Sequence, residues 1–197
     1  FTVQNGYNDT VGGAGMYNVS VSPIVVHCRF SGNFYDEGEE GDDGGSAMHN
    51  ESSSPMVEEC IFTENKGYAM FNTTASPTVM DCLFTGNEYD AMYSVSASSP
   101  IFAHCTFIKN GGCGLSSYNS SLEIAGCAFI KNTYSGISVS NTSFSVTNSV
   151  FIRNGGGIAT YESLLTLTNC TFNGNSTTWY VGGLWSGGDS SVVNVAN

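Results

Sequence analysis

Apolar and polar positions follow one short pattern through most of the chain: cysteine, any residue, phenylalanine, two further residues and asparagine. The copies begin at residues 28, 60, 82, 105, 127, 149 and 170, with serine replacing cysteine at 149. They lie 21 to 23 residues apart, except for an interval of 32 between the first two. A fixed period in this range is typical of a solenoid built from one repeated structural unit.

A glycine-rich segment that ends in an apolar residue is the second landmark of each unit. Counting both landmarks gives about eight units, the first incomplete. No stretch has a sustained 3.6-residue apolar period, so we predict essentially no helix. The apolar column of this segment reads Met16, Met48, Met70, Met92, Leu115, Ile137, Ile158 and Leu184.

Three short strands fit each unit of about 22 residues. The predicted fold is therefore all-β: a right-handed parallel β-helix of about eight rungs, forming one domain over residues 1–197. Equivalent residues then stack about 4.8 Å apart along the axis, which predicts ladders of Cys, Phe, Met and turn Asn side chains. A bend is predicted before the cysteine column, at His27, Glu59, Asp81, His104, Gly126, Asn148 and Asn169.

The charge balance narrows the classes of partner. The net charge is −12, with five basic residues against 17 acidic ones. This argues against nucleic acid, which needs a basic footprint, and against an anionic membrane surface. No apolar run approaches the roughly 18 residues of a transmembrane helix. The chain opens at Phe1 without an initiator Met, which we interpret as a processed or excised product.

Two repeat signatures resemble those of a known group. The G-G-A of residues 12–14 and the F-x-x-N of each copy look like the repeats of chlamydial polymorphic outer-membrane proteins. The units at 76–87 and 12–18 also resemble repeats of large secreted β-helix proteins from environmental bacteria and archaea. The resemblance implies an extracellular or surface location and a role in adhesion or in a structural coat.

Seven cysteines invite a disulfide or metal interpretation. Six of them share one column, and spacings near 22 residues do not match the short Cys spacings of metal sites. Stacked side chains that point in parallel suit disulfide geometry poorly, so we predict an unbridged packing ladder. Cys113 lies off this column, and both a free and a buried thiol stay open for it.

The long first interval predicts an acidic loop insertion at residues 34–45. Its six carboxylates and flexible glycines are suited to a hard cation such as Ca²⁺. A solvated acidic loop is the alternative, because most charge runs are solvated. The candidate ligands are Asp36, Glu37, Glu39, Glu40, Asp42 and Asp43.

A second acidic feature is the face around Glu58, Glu59 and Asp81, on adjacent rungs. Polysaccharide cleavage needs paired carboxylates or a suitable proton acceptor. No Lys or Arg cluster stands beside this face to hold an acidic sugar. Cleavage is therefore the weaker alternative to a non-catalytic role.

Two outward columns are candidates for recognition. The aromatic column Tyr17, His49, Phe71, Tyr93 and Trp185 is predicted to be exposed, either for sugar stacking and contacts with a neighbouring rod or for self-stacking. Three sequons, at Asn18, Asn50 and Asn72, are predicted to share an outward turn, where glycans would line one edge. The eight candidate glycosylation sites are Asn8, Asn18, Asn50, Asn72, Asn119, Asn141, Asn169 and Asn175.

Both ends of the chain are strand-like and apolar. Open solenoid ends favour head-to-tail stacking into a filament, unless caps lie in sequence outside this chain. We therefore expect a non-catalytic extracellular structural or adhesive solenoid whose main partner is itself, with a carbohydrate-binding or carbohydrate-cleaving protein as the alternative. The residues assigned to the ends are Phe1, Val3, Val192, Val193 and Val195.

Overall fold

The computed structural model describes residues 1–10, 12–35, 45–178 and 181–197. Three parallel sheets of eight strands each run along the chain, and the described residues contain no helix. This confirms the predicted parallel β-helix with three strands in each rung. In these residues, no helix is long and apolar enough to cross a membrane.

The sheets are named by the order of their strands within one repeat. Sheet 1 contains β4 (Ile24–Val26), β8 (Met56–Glu58), β11 (Thr78–Met80), β14 (Ile101–Ala103), β17 (Ser121–Ala125), β20 (Ser143–Thr147), β23 (Leu164–Thr168) and β26 (Val192–Ala196). Sheet 2 contains β1 (Thr2–Gln4), β5 (Arg29–Ser31), β9 (Ile61–Thr63), β12 (Leu83–Thr85), β15 (Thr106–Ile108), β18 (Ala128–Ile130), β21 (Val150–Ile152) and β24 (Thr171–Asn173). Sheet 3 contains β3 (Met16–Val19), β7 (Gly45–Glu51), β10 (Tyr68–Thr73), β13 (Met92–Val95), β16 (Leu115–Tyr118), β19 (Ser135–Ser140), β22 (Gly156–Tyr161) and β25 (Leu184–Gly187).

An additional strand pair lies beside the first rungs. β2 (Tyr7–Asn8) pairs in parallel with β6 (Phe34–Tyr35). The insertion predicted to begin as a loop at residue 34 therefore begins as a strand, and Tyr35 is buried. The reason is local: Phe34 and Tyr35 find a partner strand and a ring contact, with Phe34 and Tyr7 ring centroids 5.6 Å apart.

Stacked side chains fill the core. Successive Phe rings of sheet 2 lie nearly parallel, with centroids 4.6 to 5.0 Å apart from Phe30 to Phe172. The Met, Leu and Ile column of sheet 3 packs against them, fully buried from Met48 to Ile158. Burial of this apolar surface is the main driving force for folding. In-register stacking repeats the same packing on every rung.

Left-handed backbone occurs at the predicted bend. The six non-glycine residues of the column have φ between 49° and 57°, and Gly126 has φ 64°. Asn, Asp and His are the side chains most often found in this region besides glycine, while Glu59 has to be held in it by its surroundings. The bend between sheets 1 and 2 is thereby confirmed at every rung.

Asparagine side chains form a ladder along the turn between sheets 2 and 3. Each Nδ2 donates to the Oδ1 of the next rung at 2.9 to 3.0 Å. Each Oδ1 also accepts the backbone N–H of the preceding ladder residue. The asparagine ladder consists of Asn33, Asn65, Asn87, Asn110, Asn132, Asn154 and Asn175.

The cysteine column lies inside the bend, and all seven cysteines are free thiols. Cys60 donates to the Glu58 carbonyl at 3.2 Å, and Cys82 donates to the Met80 carbonyl at 3.1 Å. A hydrogen bond with Cys82, together with burial, raises the pKa of the Cys60 thiol. Because the thiols of Cys60 and Cys82 are buried and donate to neighbouring carbonyls, they act as small packing groups of the core.

Candidate functional site

The outer face of sheet 3 carries the most developed concave surface. The predicted aromatic column is in register along this sheet, from Tyr17 to Trp185. Its middle rungs are small: Ser116, Ser138 and Ala159 follow one another between Tyr93 and Trp185. Small residues between large ones leave a depression four rung steps long, about 19 Å at strand spacing.

Aromatic side chains surround this depression. One part, of about 500 Å³, is lined by Tyr68 and Tyr93 at one end, Trp185 at the other, and Tyr118 and Tyr161 along a side. Both Tyr118 and Tyr161 are 45% exposed. The ring of Tyr68 stacks on that of Tyr93 with centroids 5.2 Å apart. That end wall is therefore fixed by ring packing.

The opposite side faces the corner between sheets 2 and 3. A second part, of about 410 Å³, is lined there by Cys113, Thr133 and Tyr134, among other residues. The two parts share Ser138 and Ala159. They form one surface, called the trough below, in which Tyr134 is 65% exposed.

Asp90 contributes a carboxyl group to the wall of the trough. It accepts the backbone N–H of Cys113 at 2.6 Å and a hydrogen bond from the Ser116 side chain. Burial raises the pKa of this carboxyl above its usual range, against the opposing effect of these hydrogen bonds. A Cβ at Gly112 would lie 2.0 Å from Asp90 Oδ1, so the residue beside the carboxylate has to be glycine.

Cys113, the cysteine off the main column, is buried at the trough wall. Burial, followed by the negative charge of Asp90, raises its pKa to about 12. A thiol is a nucleophile only as the thiolate. Cys113 is therefore a packing residue near neutral pH.

A row of cations lies at the same corner. Lys109, Lys131 and Arg153 each precede a residue of the asparagine ladder, and all three are exposed. Their φ angles are 57°, 54° and 55°. We name these three residues the cationic ladder. Sequence reasoning missed it, although F-I-K-N, F-I-K-N and F-I-R-N recur at one position of the repeat.

The aromatic column is only partly exposed, which corrects the prediction. Tyr17 is exposed, while His49 and Phe71 are buried. The imidazole of His49 packs between the rings of Tyr17 and Phe71, with centroids 5.0 Å away on each side. Alternation along a strand fixes which face a side chain occupies, whereas neighbouring rings decide whether solvent reaches it.

His49 is a buried polar group without a hydrogen bond. Neither ring nitrogen has a partner among the described residues. Burial lowers the pKa of His49 to about 4, and the nearby Glu51 opposes this only in part. Glu51 itself accepts a hydrogen bond from the hydroxyl of Tyr17.

Three of the predicted glycosylation sites were expected on the outside, and this prediction is wrong because the structure buries them. Asn18, Asn50 and Asn72 are buried in a second amide ladder, with Asn18 donating to Asn50 at 2.8 Å and Asn50 to Asn72 at 2.9 Å. Asn72 donates in turn to Ser94 at 3.1 Å. Their Nδ2 atoms face the core because mutual hydrogen bonds satisfy the amides there, so the folded chain has no room for a glycan on them.

The other sequons differ in exposure. Asn119, Asn141 and Asn169 are exposed, and Asn169 donates to Asn148 at 3.0 Å. Asn8 is half-buried and accepts the backbone N–H of Thr10 at 3.0 Å. Asn175 is also half-buried, and its Nδ2 donates to the Phe151 carbonyl at 2.9 Å. Glycosylation stays a prediction for these five.

The acidic features lie away from the trough or outside the described residues. All six candidate Ca²⁺ ligands, from Asp36 to Asp43, fall outside the described residues. Within those residues, no group of three or more His, Cys, Asp or Glu side chains is placed to hold a metal ion. Glu59 pairs with His27 at 3.0 Å on an exposed surface, and with Glu58 it belongs to a different face.

The residues assigned to the ends differ in their exposure to solvent. Phe1 is 89% exposed, and Val192 and Val195 are exposed as well. Val3 and Val193 are half-buried and pack against the core. The head-to-tail stacking predicted from these residues stays a prediction.

Comparison with known proteins supports the architecture. A family profile described as "Right handed beta helix region" matches residues 2–121 and 47–197. The enzymatically active domain of tailspike protein 2 from bacteriophage CBA120 matches with a TM-score of 0.63 and 11% identity, over 100% of this chain and 38% of that one. The chain thus spans well under half of that tailspike domain. A search of curated proteins found no match.

Two further structures match more weakly. The A-module of the Azotobacter vinelandii mannuronan C-5 epimerase AlgE6 gives a TM-score of 0.45 at 11% identity, over 95% of this chain and 83% of that one. The glycan biofilm modifying enzyme WceF of Pantoea stewartii gives 0.43 at 11% identity, over 97% and 32%. At such identities the tailspike match shows a common fold.

Proposed function

The chain belongs to the family of right-handed β-helix proteins, and on this basis we propose that it is a secreted or surface-exposed solenoid whose trough binds a carbohydrate chain. The observation that carries the proposal is the combination of exposed aromatic rings with a floor of small, partly hydroxylated residues. Tyr and Trp present an apolar face and a polar tip, and Ser hydroxyls both donate and accept hydrogen bonds. Both properties match a sugar ring.

The shape of the trough favours a polymer over a small molecule. It is open to solvent and extends along the rod axis from Tyr93 to Trp185. Its floor residues belong to β16, β19 and β22, which are held by parallel pairing on both sides. A site built on strands is largely preorganised, so a polysaccharide meets it at a low entropic cost.

Binding rather than cleavage is the function that the trough supports. Asp90 is the one carboxylate among its described lining residues. Glycoside hydrolysis ordinarily uses two carboxyl groups, about 5 to 10 Å apart. The tailspike domain is described as enzymatically active, and cleavage is therefore the second candidate, at the trough or at the acidic face around Glu58 and Glu59.

Tyrosine replacements in the trough test the proposal. Tyr134→Ala and Tyr161→Ala should each weaken polysaccharide binding about fivefold, since an aromatic contact of about 1 kcal/mol is lost. Affinity electrophoresis against soluble neutral and acidic polysaccharides would identify the ligand, and calorimetry would measure the loss. Tyr7→Ala is the matched control, because Tyr7 is 59% exposed and lies beside the first rungs, outside the trough.

Two results would contradict this proposal. Equal losses for the Tyr7 and Tyr134 variants would mean that the trough is not the site. Release of reducing ends that stops in Asp90→Asn or Glu59→Gln would replace binding by cleavage.

A further inference from the structure

Basic side chains are scarce in this protein, and their placement is uneven. The chain has five Lys and Arg residues in total. Lys66 lies over the ring of Phe34 at 5.5 Å, and Arg29 is exposed on sheet 2. The other three make up the cationic ladder, at one position of three consecutive repeats. Of the described carboxylates, none forms an ion pair with them.

The backbone does not explain why these three residues are basic. Their column has positive φ, and glycine occupies it at Gly32, Gly86 and Gly174 with φ of 61° to 65°. A long side chain in this conformation is strained, whereas glycine is not. Since neither the backbone nor an internal partner favours Lys or Arg here, their side chains are free to serve an external anion.

The cationic ladder lies next to residues of the trough along the chain. Thr133 and Tyr134, which line the trough, come two and three residues after Lys131, and Gly155 comes two residues after Arg153. Two residues of chain span at most about 7 Å. Parallel rungs repeat the cations about every 4.8 Å, so the three cover roughly 10 Å along the same axis as the trough.

Other charges limit the anion-binding length to these rungs. Glu64 occupies the ladder column two rungs before Lys109, and Glu88 lies two residues after Gly86, on the rung between them. Asp90 faces the trough at the Tyr93 end. The corner therefore carries mixed charges on its earlier rungs, where Lys66 lies two residues from Glu64, and only basic side chains at the ladder column from Lys109 to Arg153. A polymer with regularly spaced negative charges fits only the basic part.

We propose that the cationic ladder holds the anionic groups of a linear acidic polysaccharide whose sugar rings lie in the trough. This inference rests on the proposed carbohydrate-binding function and names its charge class: one carboxylate or sulfate on successive sugars. Lys and Arg bind such groups through charge-assisted hydrogen bonds. The surrounding net charge of −12 makes this local recognition rather than general attraction of polyanions.

The test compares polymers that differ only in charge. Polygalacturonate would be measured against the same polymer after carboxyl reduction, and dextran sulfate against dextran, so that carboxylate and sulfate are distinguished. Calorimetry at low and at moderate salt should show at least tenfold tighter binding of a charged polymer, with the advantage falling as salt screens it. Single-stranded oligothymidylate serves as a non-carbohydrate polyanion, and binding to it with equal affinity would overturn the proposal.

Single replacements locate the effect. Lys131→Gln should weaken binding of the charged polymer at least threefold and leave binding of the neutral polymer unchanged. Arg29→Gln removes the same charge outside the ladder and should change neither. The triple variant Lys109→Gln, Lys131→Gln, Arg153→Gln should remove the preference for charge, with circular dichroism and thermal melting confirming that it folds.

The outcomes separate this inference from the proposed function. Binding of neutral and charged polymers with equal affinity, sensitive to Tyr134→Ala, would sink the charge assignment and leave the trough as a carbohydrate site. Equal losses for Lys131→Gln and Arg29→Gln would reduce the effect to overall charge. Absence of binding to every polymer would remove both.

Discussion

At the scale of single residues, the protonation of a polar side chain depends on whether it is buried, and the face of the strand on which it lies does not settle this. His49 occupies the outer face of sheet 3 and is nevertheless buried between two rings, without a hydrogen bond among the described residues. A neutral imidazole fits this site, whereas a charged one does not.

The titration of His49 predicts a loss of stability in acid. Its pKa is about 4 in the folded chain against 6.5 for the ordinary side chain. The unfolded chain therefore takes up a proton as the pH falls below 6.5, while the folded chain does not. Because of His49, the free energy of unfolding therefore falls by about 3 kcal/mol in total between pH 6.5 and 4.

Replacing His49 tests this directly. In His49→Phe the fall in the free energy of unfolding between pH 6.5 and 4, measured by urea denaturation, should be smaller by about 3 kcal/mol. His104→Asn, at an exposed bend, is the control and should retain the fall. If the two variants show the same pH dependence, His49 is not the cause.

At the scale of elements, the ladders are the units of stability. Asn110 is fully buried. Its Nδ2 donates to Asn132 at 3.0 Å and to the Phe84 carbonyl at 3.2 Å, while its Oδ1 accepts from Asn87. Removing one member leaves buried donors and acceptors on both neighbouring rungs without partners, and such groups are costly.

Asn110→Ala should therefore lower the free energy of unfolding by about 3 kcal/mol. Asn173→Ala, an exposed asparagine on β24, should change it by no more than about 0.5 kcal/mol. Chemical denaturation of both variants measures the difference. A loss below about 1 kcal/mol for Asn110→Ala would show that the amide ladder is dispensable.

The sequence predicts ladders well and surfaces poorly, for a physical reason. The period places Phe107 on Phe129 and Asn110 on Asn132, because a fixed repeat length leaves one register. Exposure depends on what covers a residue, and the pairing of β2 with β6 is not part of the repeat. The trough was missed because it arises from small residues, Ser116, Ser138 and Ala159, between large ones. A column of small residues has no chemical signature of its own.

Burial of Asn18, Asn50 and Asn72 was missed for a related reason. A single buried asparagine is unfavourable, which favours an outward placement when each residue is considered alone. Three in register satisfy one another's amides, as Asn18 and Asn50 do at 2.8 Å. The favourable arrangement belongs to the stack and becomes apparent only when equivalent residues are compared across rungs.

At the scale of the whole molecule, stability is close to a sum over neighbouring rungs. Deleting residues 105–126 removes one full repeat and joins His104 to Cys127, which restores the order of bend and cysteine. This shortened chain should fold, with a cooperative thermal transition and a β-rich circular dichroism spectrum. It also retains two cations of the cationic ladder, so binding of an acidic polymer should weaken rather than disappear.

A deletion of half a repeat is the control. Removing residues 105–115 joins a bend to the middle of a sheet 3 strand and shifts all later residues out of register. This variant should fail to fold cooperatively. If both deletions fold equally well, or neither does, the rungs are not independent units.

The asparagine ladder has a direction. Every Nδ2 from Asn33 to Asn154 donates one hydrogen bond to the Oδ1 of the following rung and one to a backbone carbonyl of the rung before it. Every Oδ1 from Asn65 to Asn175 receives two hydrogen bonds from the rung before it. Reversing one amide would set donor against donor on one side and acceptor against acceptor on the other. The orientation of all seven groups is therefore collective, fixed at one end where the Gly6 N–H donates to Asn33 Oδ1 at 3.0 Å. The amide dipoles of the ladder therefore share one direction along the axis, with their positive ends toward the C-terminal rungs.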